Sequence, residues 1–219
     1  MTDRPPALLG LPRSNLRELA VHALRTAITT GELPPGTHVS EVETAERLRI
    51  SRGTLREAMR QLQQEGLLTG TTRGRLQVRH MDRDELVDVF AVRGALEAFA
   101  ARTIAERGDR SAAVAALNEA LEAMTLAQEG ALDDRIETDL EFHRVLCEQS
   151  GNATLVRTWE SLEGSIRMSI MFSGRERAAA NMDVERHRDL VAAIETGDPD
   201  DAAAAVRNHM RDAAQTLID

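Results

Sequence analysis

A chain of 219 residues can form one large domain or two modest ones, each burying its own core. Charged residues make up 29% and the hydrophobic set 42%, the balance of an ordinary soluble globular protein, and no apolar run approaches a membrane span. The net charge of −9 argues against a nucleic-acid binder only until it is divided along the chain: residues 1–80 hold 12 Arg against 8 acidic residues, residues 81–219 hold 15 against 28. A basic head on an acidic body suits DNA contacts confined to one end. With no Tyr, one Trp and four Phe, the core must come from Leu, Val, Ile, Met and Ala, which favours packed helices. The single cysteine, Cys147, leaves no internal disulfide and suits a reducing cytoplasm. The first thirty residues lack a signal-peptide pattern.

In chain order, Leu16, Leu19, Ala20, Ala23, Leu24, Ala27 and Ile28 recur at helical spacing, and Gly31 supplies the stop. Leu33-Pro34-Pro35-Gly36 is turn chemistry, after which Thr37-His38-Val39 suits a short strand. Ser40 and Glu43 make a capping box for a second helix reaching about Leu48. After a very short break, Ser51 is placed to cap a third helix ended by Gly66. Leu55, Ala58, Met59 and Leu62 share one face of that helix; Arg52, Arg56 and Arg60 share another. Leu67-Leu68-Thr69 and Leu76-Gln77-Val78 can pair as a hairpin.

Helix, helix, tight turn, helix and hairpin is the order of a winged helix-turn-helix, expected here over residues 10–79. The short turn sets the third helix across the second, free to enter a major groove. Arg52 and Arg56 carry guanidinium forks that match the two acceptors of guanine. Ser51 and Thr54 can reach phosphate at the positive end of the helix dipole. Arg73 and Gly74, at the hairpin tip, can approach the backbone or the minor groove. Three arginines on an isolated helix would be a solvated face; their place at the right end of the right helix favours double-stranded DNA.

The head resembles the GntR superfamily of transcription regulators. The resemblance rests on Gly31-Glu32-Leu33-Pro34-Pro35-Gly36, Ser40-Glu41-Val42-Glu43, Ser51-Arg52-Gly53-Thr54-Leu55-Arg56-Glu57-Ala58 and Glu65-Gly66-Leu67-Leu68. It implies that Arg52 and Arg56 read bases while Ser51 and Thr54 hold phosphates. Gly53 stands where many members carry a larger polar residue, and Val42 where some carry a DNA-contacting Arg, so the operator sequence does not transfer.

Residues 80–219 read as an antiparallel bundle of about six helices, near 83–106, 111–128, 133–149, 152–172, 182–196 and 199–217, punctuated by Gly108, Gly130, Gly151, Gly174 and Gly197. The informative positions are polar residues on apolar faces. Asp139 and His143, four apart, fall beside Ile136, Leu140 and Leu146; His187 is in register with Leu190, Val191 and Ile194; His209 sits among Val206, Met210, Ala213 and Leu217. A lone inward His is ordinarily a hydrogen-bonded core residue. Three in phase with an Asp suit a divalent transition metal (zinc, nickel, iron or manganese), because burying such groups unpartnered is costly. His22, His38 and His80 lie off these faces. Arg93 and Glu97 share the buried stripe of the first body helix; they read equally as a clamp for an organic carboxylate and as a plain helix pair.

The body resembles the FCD ligand-sensing domain of FadR-type GntR regulators. The matching segments are Val92-Arg93-Gly94-Ala95-Leu96-Glu97, Asp139-Leu140-Glu141-Phe142-His143, Ser150-Gly151-Asn152, Glu185-Arg186-His187 and Ala193-Ile194-Glu195-Thr196-Gly197-Asp198 through His209. It implies metal binding by Asp139, His143, His187 and His209, with a small carboxylate effector at an open position. Some members of the broader family take acyl-coenzyme A without metal, and the full Asp-His-His-His set points away from them. The expectation is a metabolite-responsive regulator, most often a repressor, binding a near-palindromic operator as a homodimer. A hinge is expected around His80-Met81-Asp82. The competing reading is a metal-dependent hydrolase-like bundle on a DNA-binding head, for which Glu141 is the only obvious spare base, and its spacing from Asp139 turns it away.

Overall fold

The computed structural model describes residues 14–71, 75–173 and 175–218. The head contains α1 (Ser14–Thr29), α2 (Glu41–Leu48), α3 (Arg52–Gln64), β1 (Leu68–Gly70) and β2 (Leu76–Val78). Ala20, Val21, Leu24 and Ile28 of α1 are buried, as are Leu55, Ala58, Met59 and Leu62 of α3, against which α1 packs. Arg25 reaches from α1 to the far end of α3, donating to both Glu65 oxygens at 3.0 and 2.9 Å. Ser40 caps α2 by accepting from the Glu43 amide, and Ser51 caps α3 by accepting from the Thr54 amide.

Between these helices Arg49 takes a left-handed conformation, φ 53°, and is the one non-glycine with positive φ among the described residues. Its amide and that of Ile50 close the last turn of α2 on the Glu46 and Ala45 carbonyls. That single residue reverses the chain between α2 and α3. β1 and β2 pair antiparallel with Leu68 opposite Val78. The strand expected at Thr37-His38-Val39 is reduced to one bridge, His38 to Gln77. The Thr37 carbonyl and the Val39 amide still bond β2 on its open side, so the segment extends the wing without forming a ladder of its own.

The body follows as α4 (Arg83–Ala105), α5 (Ser111–Ala127), α6 (Leu132–Gln149), α7 (Ala153–Phe172), α8 (Arg175–Asn181), α9 (Val184–Thr196) and α10 (Pro199–Ile218). The six expected stretches appear with boundaries within about two residues, the scatter usual at helix ends. The addition is α8, a single short helix in the segment read as a connection. Its Ala-rich run has helix propensity, but it buries only Ala178 and Asn181 among its described side chains, too little to leave a periodic apolar signature. α4 is central: it packs along α10 and also against α6, α7 and α9.

Caps define the starts of these helices. Asp82 accepts from the Glu85 amide, Asp183 from the Glu185 amide, and Asn152 from the amides of Thr154 and Leu155, both at 3.1 Å. Asn152→Ala removes both bonds at the start of α7. It is expected to cost roughly 1 kcal/mol and to lower the melting temperature by about 2–4 °C, measured by thermal unfolding under circular dichroism.

Candidate functional site

The head presents Ser51, Arg52, Gly53 and Arg56 as exposed residues at the start of α3, with Arg60 exposed one turn on and Thr54 half-buried. The Ser51 and Thr54 hydroxyls lie 2.8 Å apart and bond each other, so both serve the cap in the free protein. Arg56 is paired: its guanidinium donates to the Glu41 carboxylate of α2, with Nη2 to Oε2 at 2.8 Å. This bond holds the Glu41 carboxyl below its ordinary value. No residue spacing announces a partner fifteen positions away on another helix. Arg73 and Gly74 lie outside the described residues.

The second site is inside the body. His143, His187 and His209 are buried and converge, each offering a ring nitrogen within 4.8 Å of the others. Asp139, one turn before His143 on α6, is also buried and brings Oδ1 to 3.1 Å from His187 Nε2. The histidines expected to lie elsewhere do so: His22, His38 and His80 are exposed.

Hydrogen positions follow from the partners. His143 Nδ1 lies 2.6 Å from Glu97 Oε2, and His187 Nδ1 lies 2.7 Å from the Asp183 carbonyl oxygen. A carbonyl only accepts. Glu97 receives Arg93 Nε and Trp159 Nε1 on its other oxygen, both at 2.7 Å, and the guanidinium charge bonded to it favours the carboxylate form against its burial. Both imidazoles therefore carry their hydrogen on Nδ1 and aim a lone pair from Nε2. Those two Nε2 atoms are 3.1 Å apart with no hydrogen between them. Nor does either Asp139 oxygen receive a hydrogen bond among the described residues. Lone pairs and a carboxylate thus converge in a buried space. Arg93 Nη2, 4.0 Å from Asp139 Oδ2, is a nearby positive charge but makes no hydrogen bond to the carboxylate, an arrangement suited to a cation.

The electrostatics agree. Burial holds the His143 imidazole well below its ordinary pKa, with Arg93 adding to the effect. Burial, then His187 and His143, do the same to His209. Neutral imidazole is the ligating form. Burial raises the Glu97 carboxyl against the pull of Arg93 and Trp159.

Of the two readings offered for Arg93, the helix pair is present. Its Nε forms the helix pair with Glu97, while its buried Nη2 has no hydrogen-bond partner and stands 4.0 Å from Asp139 Oδ2. Glu141 is exposed and pairs with Arg144 on the outer face, as its spacing required.

Two family models match this architecture: the gntR family of bacterial regulatory proteins over residues 16–78, and the FCD domain over residues 88–212. The chain belongs to the GntR family. This regulator is 34% identical to the "Probable D-xylose utilization operon transcriptional repressor" of Paenarthrobacter nicotinovorans, covering 84% of the chain and 80% of that protein. It is 29% identical to the Nta operon transcriptional regulator of Aminobacter aminovorans over 81% of the chain and 82% of the relative. A solved GntR transcriptional regulator from Rhodococcus sp. RHA1 shares the fold, with a TM-score of 0.75, 19% identity and coverage of 94% and 98%.

In this GntR regulator Trp159 had no signal beyond being the only Trp of the chain, and Glu97 was visible only as the partner of Arg93. A buried indole N–H needs an acceptor, which is the one general hint available. Trp159→Phe leaves the buried Glu97 one donor short. The change is expected to cost about 1–3 kcal/mol in urea unfolding followed by circular dichroism.

Proposed function

We propose that this regulator senses a small organic carboxylate at a divalent transition metal held by Asp139, His143, His187 and His209, and acts as a repressor on a near-palindromic operator bound by a homodimer. The observation that carries the sensing half is the convergence of the buried Asp139 carboxylate, which accepts no hydrogen bond among the described residues, with three buried imidazoles whose ring nitrogens lie within 4.8 Å of one another. A metal bound there supplies an electrophilic coordination position; zinc, nickel, iron and manganese all suit such ligands. Glu97 and the Asp183 carbonyl act behind it by fixing the orientation of His143 and His187. Arg93 Nη2 is the cation left over, placed to meet the effector carboxylate.

On the head, Arg52 and Arg56 read bases, Ser51 and Thr54 meet phosphates, the Gly53 backbone approaches closely, and the wing tip with Arg73 and Gly74 touches the backbone or minor groove. The division between the two parts falls near residue 80. Support for repression comes from the repressor of Paenarthrobacter nicotinovorans, whose length the chain largely covers.

α7 joins the two sites. Trp159 bonds Glu97 behind His143, while Ser165, further along the same helix, accepts from Arg79 at 2.7 Å and Ser169 contacts Met81 at 2.9 Å. The segment 79–82 is the hinge, and α7 holds it. An effector shifts the arrangement of the heads only by binding one arrangement more tightly than the other.

Two experiments test the reading. Metal analysis of purified protein should find a transition metal, and His143→Ala should lower both its content and the melting temperature, since a ligand of the native state stabilises it by mass action; unchanged values would remove the metal. Arg52→Ala should weaken binding to an operator selected from random duplexes by about 1–3 kcal/mol and relax the preference at one base pair. Operator affinity indifferent to a panel of hydroxy- and dicarboxylic acids that the body binds would refute the sensing mechanism.

A further inference from the structure

The turn between α2 and α3 is built on an arginine where a glycine would cost less. Arg49 holds φ 53° and ψ 42°, a left-handed conformation that glycine adopts without the clash a Cβ brings there. The turn itself is made by the backbone amides of residues 49 and 50 on the Glu46 and Ala45 carbonyls, and needs no guanidinium. Nothing nearby claims the side chain either. Arg49 is exposed and makes no ion pair or side-chain hydrogen bond among the described residues. Its neighbours differ: Arg47 is paired with Glu32 at 3.0 Å, and Arg56 with Glu41 at 2.8 Å. Strain kept for a long, charged and unpaired side chain points to a use for that charge outside the folded chain.

Arg49 lines a depression of about 440 Å³ between α2 and α3, together with Val42, Ala45, Glu46, Ile50 and Arg52. Val42 and Arg49 are seven residues apart, two helical turns, and so mark the two ends of one face of α2. Val42 is 50% exposed and brings no charge. The cations of the depression are therefore Arg49 on the α2 side and Arg52 at the start of α3, and the one acid, Glu46, leaves the balance positive. When α3 lies in a major groove with Arg52 at base edges, what borders the groove is the sugar–phosphate backbone. A hollow with a cation on each side and aliphatic walls between suits a phosphodiester, which arginine binds through paired N–H donors.

We propose that Arg49 is a further DNA contact of this chain, its guanidinium binding a backbone phosphate beside the groove that α3 enters. The contact adds affinity and fixes register without reading sequence, since a phosphate is the same at every base pair. The left-handed turn thus has two uses. It reverses the chain between the helices, and it carries the one cation of the α2 side that no acid of the head neutralises.

The inference rests on the proposed entry of α3 into DNA and adds a residue outside that helix. Its test uses the full chain and two duplexes, one selected from random sequences by the wild type and one of scrambled sequence. Arg49→Gln should weaken binding to both by the same factor, roughly tenfold per contact in about 0.1 M salt, and should flatten the dependence of log affinity on log salt by about 0.9 per contact. Arg49→Lys, which keeps the charge, should retain most of the affinity. Arg49→Gly should lose affinity as Arg49→Gln does yet melt about 2–4 °C higher, because the backbone strain is gone; a residue that only holds the turn would not separate the two. Arg47→Gln removes the same charge two residues away, from an arginine already paired with Glu32, and should leave the salt slope unchanged. Wild-type affinity and slope in Arg49→Gln, or losses no larger than those of Arg47→Gln, would overturn the contact alone. A wild type that selects no duplex would overturn the DNA docking of α3 with it.

Discussion

The body is organised around one buried carboxylate. Glu97 of α4 accepts from Arg93 on its own helix, Trp159 on α7 and the His143 ring on α6. A charge without access to water is tolerable only when each of its lone pairs is met, and breaking such a set leaves a charge uncompensated. Three helices are therefore registered against one another by a single side chain. That registration also fixes the tautomer of His143. The ring must give its hydrogen to Glu97, so it has only a lone pair to offer the interior. The packing requirement and the chemistry of the site are one constraint.

Much of this was legible in the chain because burial is periodic. Asp139, His143, His187 and His209 were recognisable as polar residues at positions where helical spacing demanded apolar ones, and the structure buries them together. Helix starts in the head were legible from the caps Ser40 and Ser51, which act over two or three residues. What stayed hidden depends on long-range partners. Glu97 meets residues 46 and 62 positions away, and Arg56 meets Glu41 on another helix; neither distance leaves a trace in local pattern. The left-handed turn at Arg49 was also silent, because such positions are usually advertised by Gly or Asn. α8 was missed for the opposite reason: it is too short for periodicity to accumulate.

The uneven charge acquires a structural meaning. The arginines of the head stand exposed along α3, whereas several body arginines are consumed internally. Arg93 and Arg167 are buried in ion pairs, and Arg186 reaches the backbone of Asn181 and His209. The surplus of acid in the body is thus a surplus at its surface, which disfavours contact with a polyanion and leaves the head as the end that DNA attracts.

α4 shows how one helix borders several parts of the body. A helix at the edge of a bundle is amphipathic because only one side is covered. α4 carries Arg93 and Glu97 on its inner side and Val87, Val92 and Phe99 on its outer side, so its apolar residues run almost all round. The inner neighbours are α6, α7 and α9, which carry the imidazoles and Trp159. A close-packed helix cannot shift on one side without disturbing contacts on the other, so a change around Arg93 and Glu97 is felt at the contacts of α4 with α10. The segment His80-Met81-Asp82, expected as the hinge, adjoins the first turn of α4 through the Asp82 cap. The same segment is tied to α7 through Arg79–Ser165 and Met81–Ser169, so α4 and α7 both border the junction with the head.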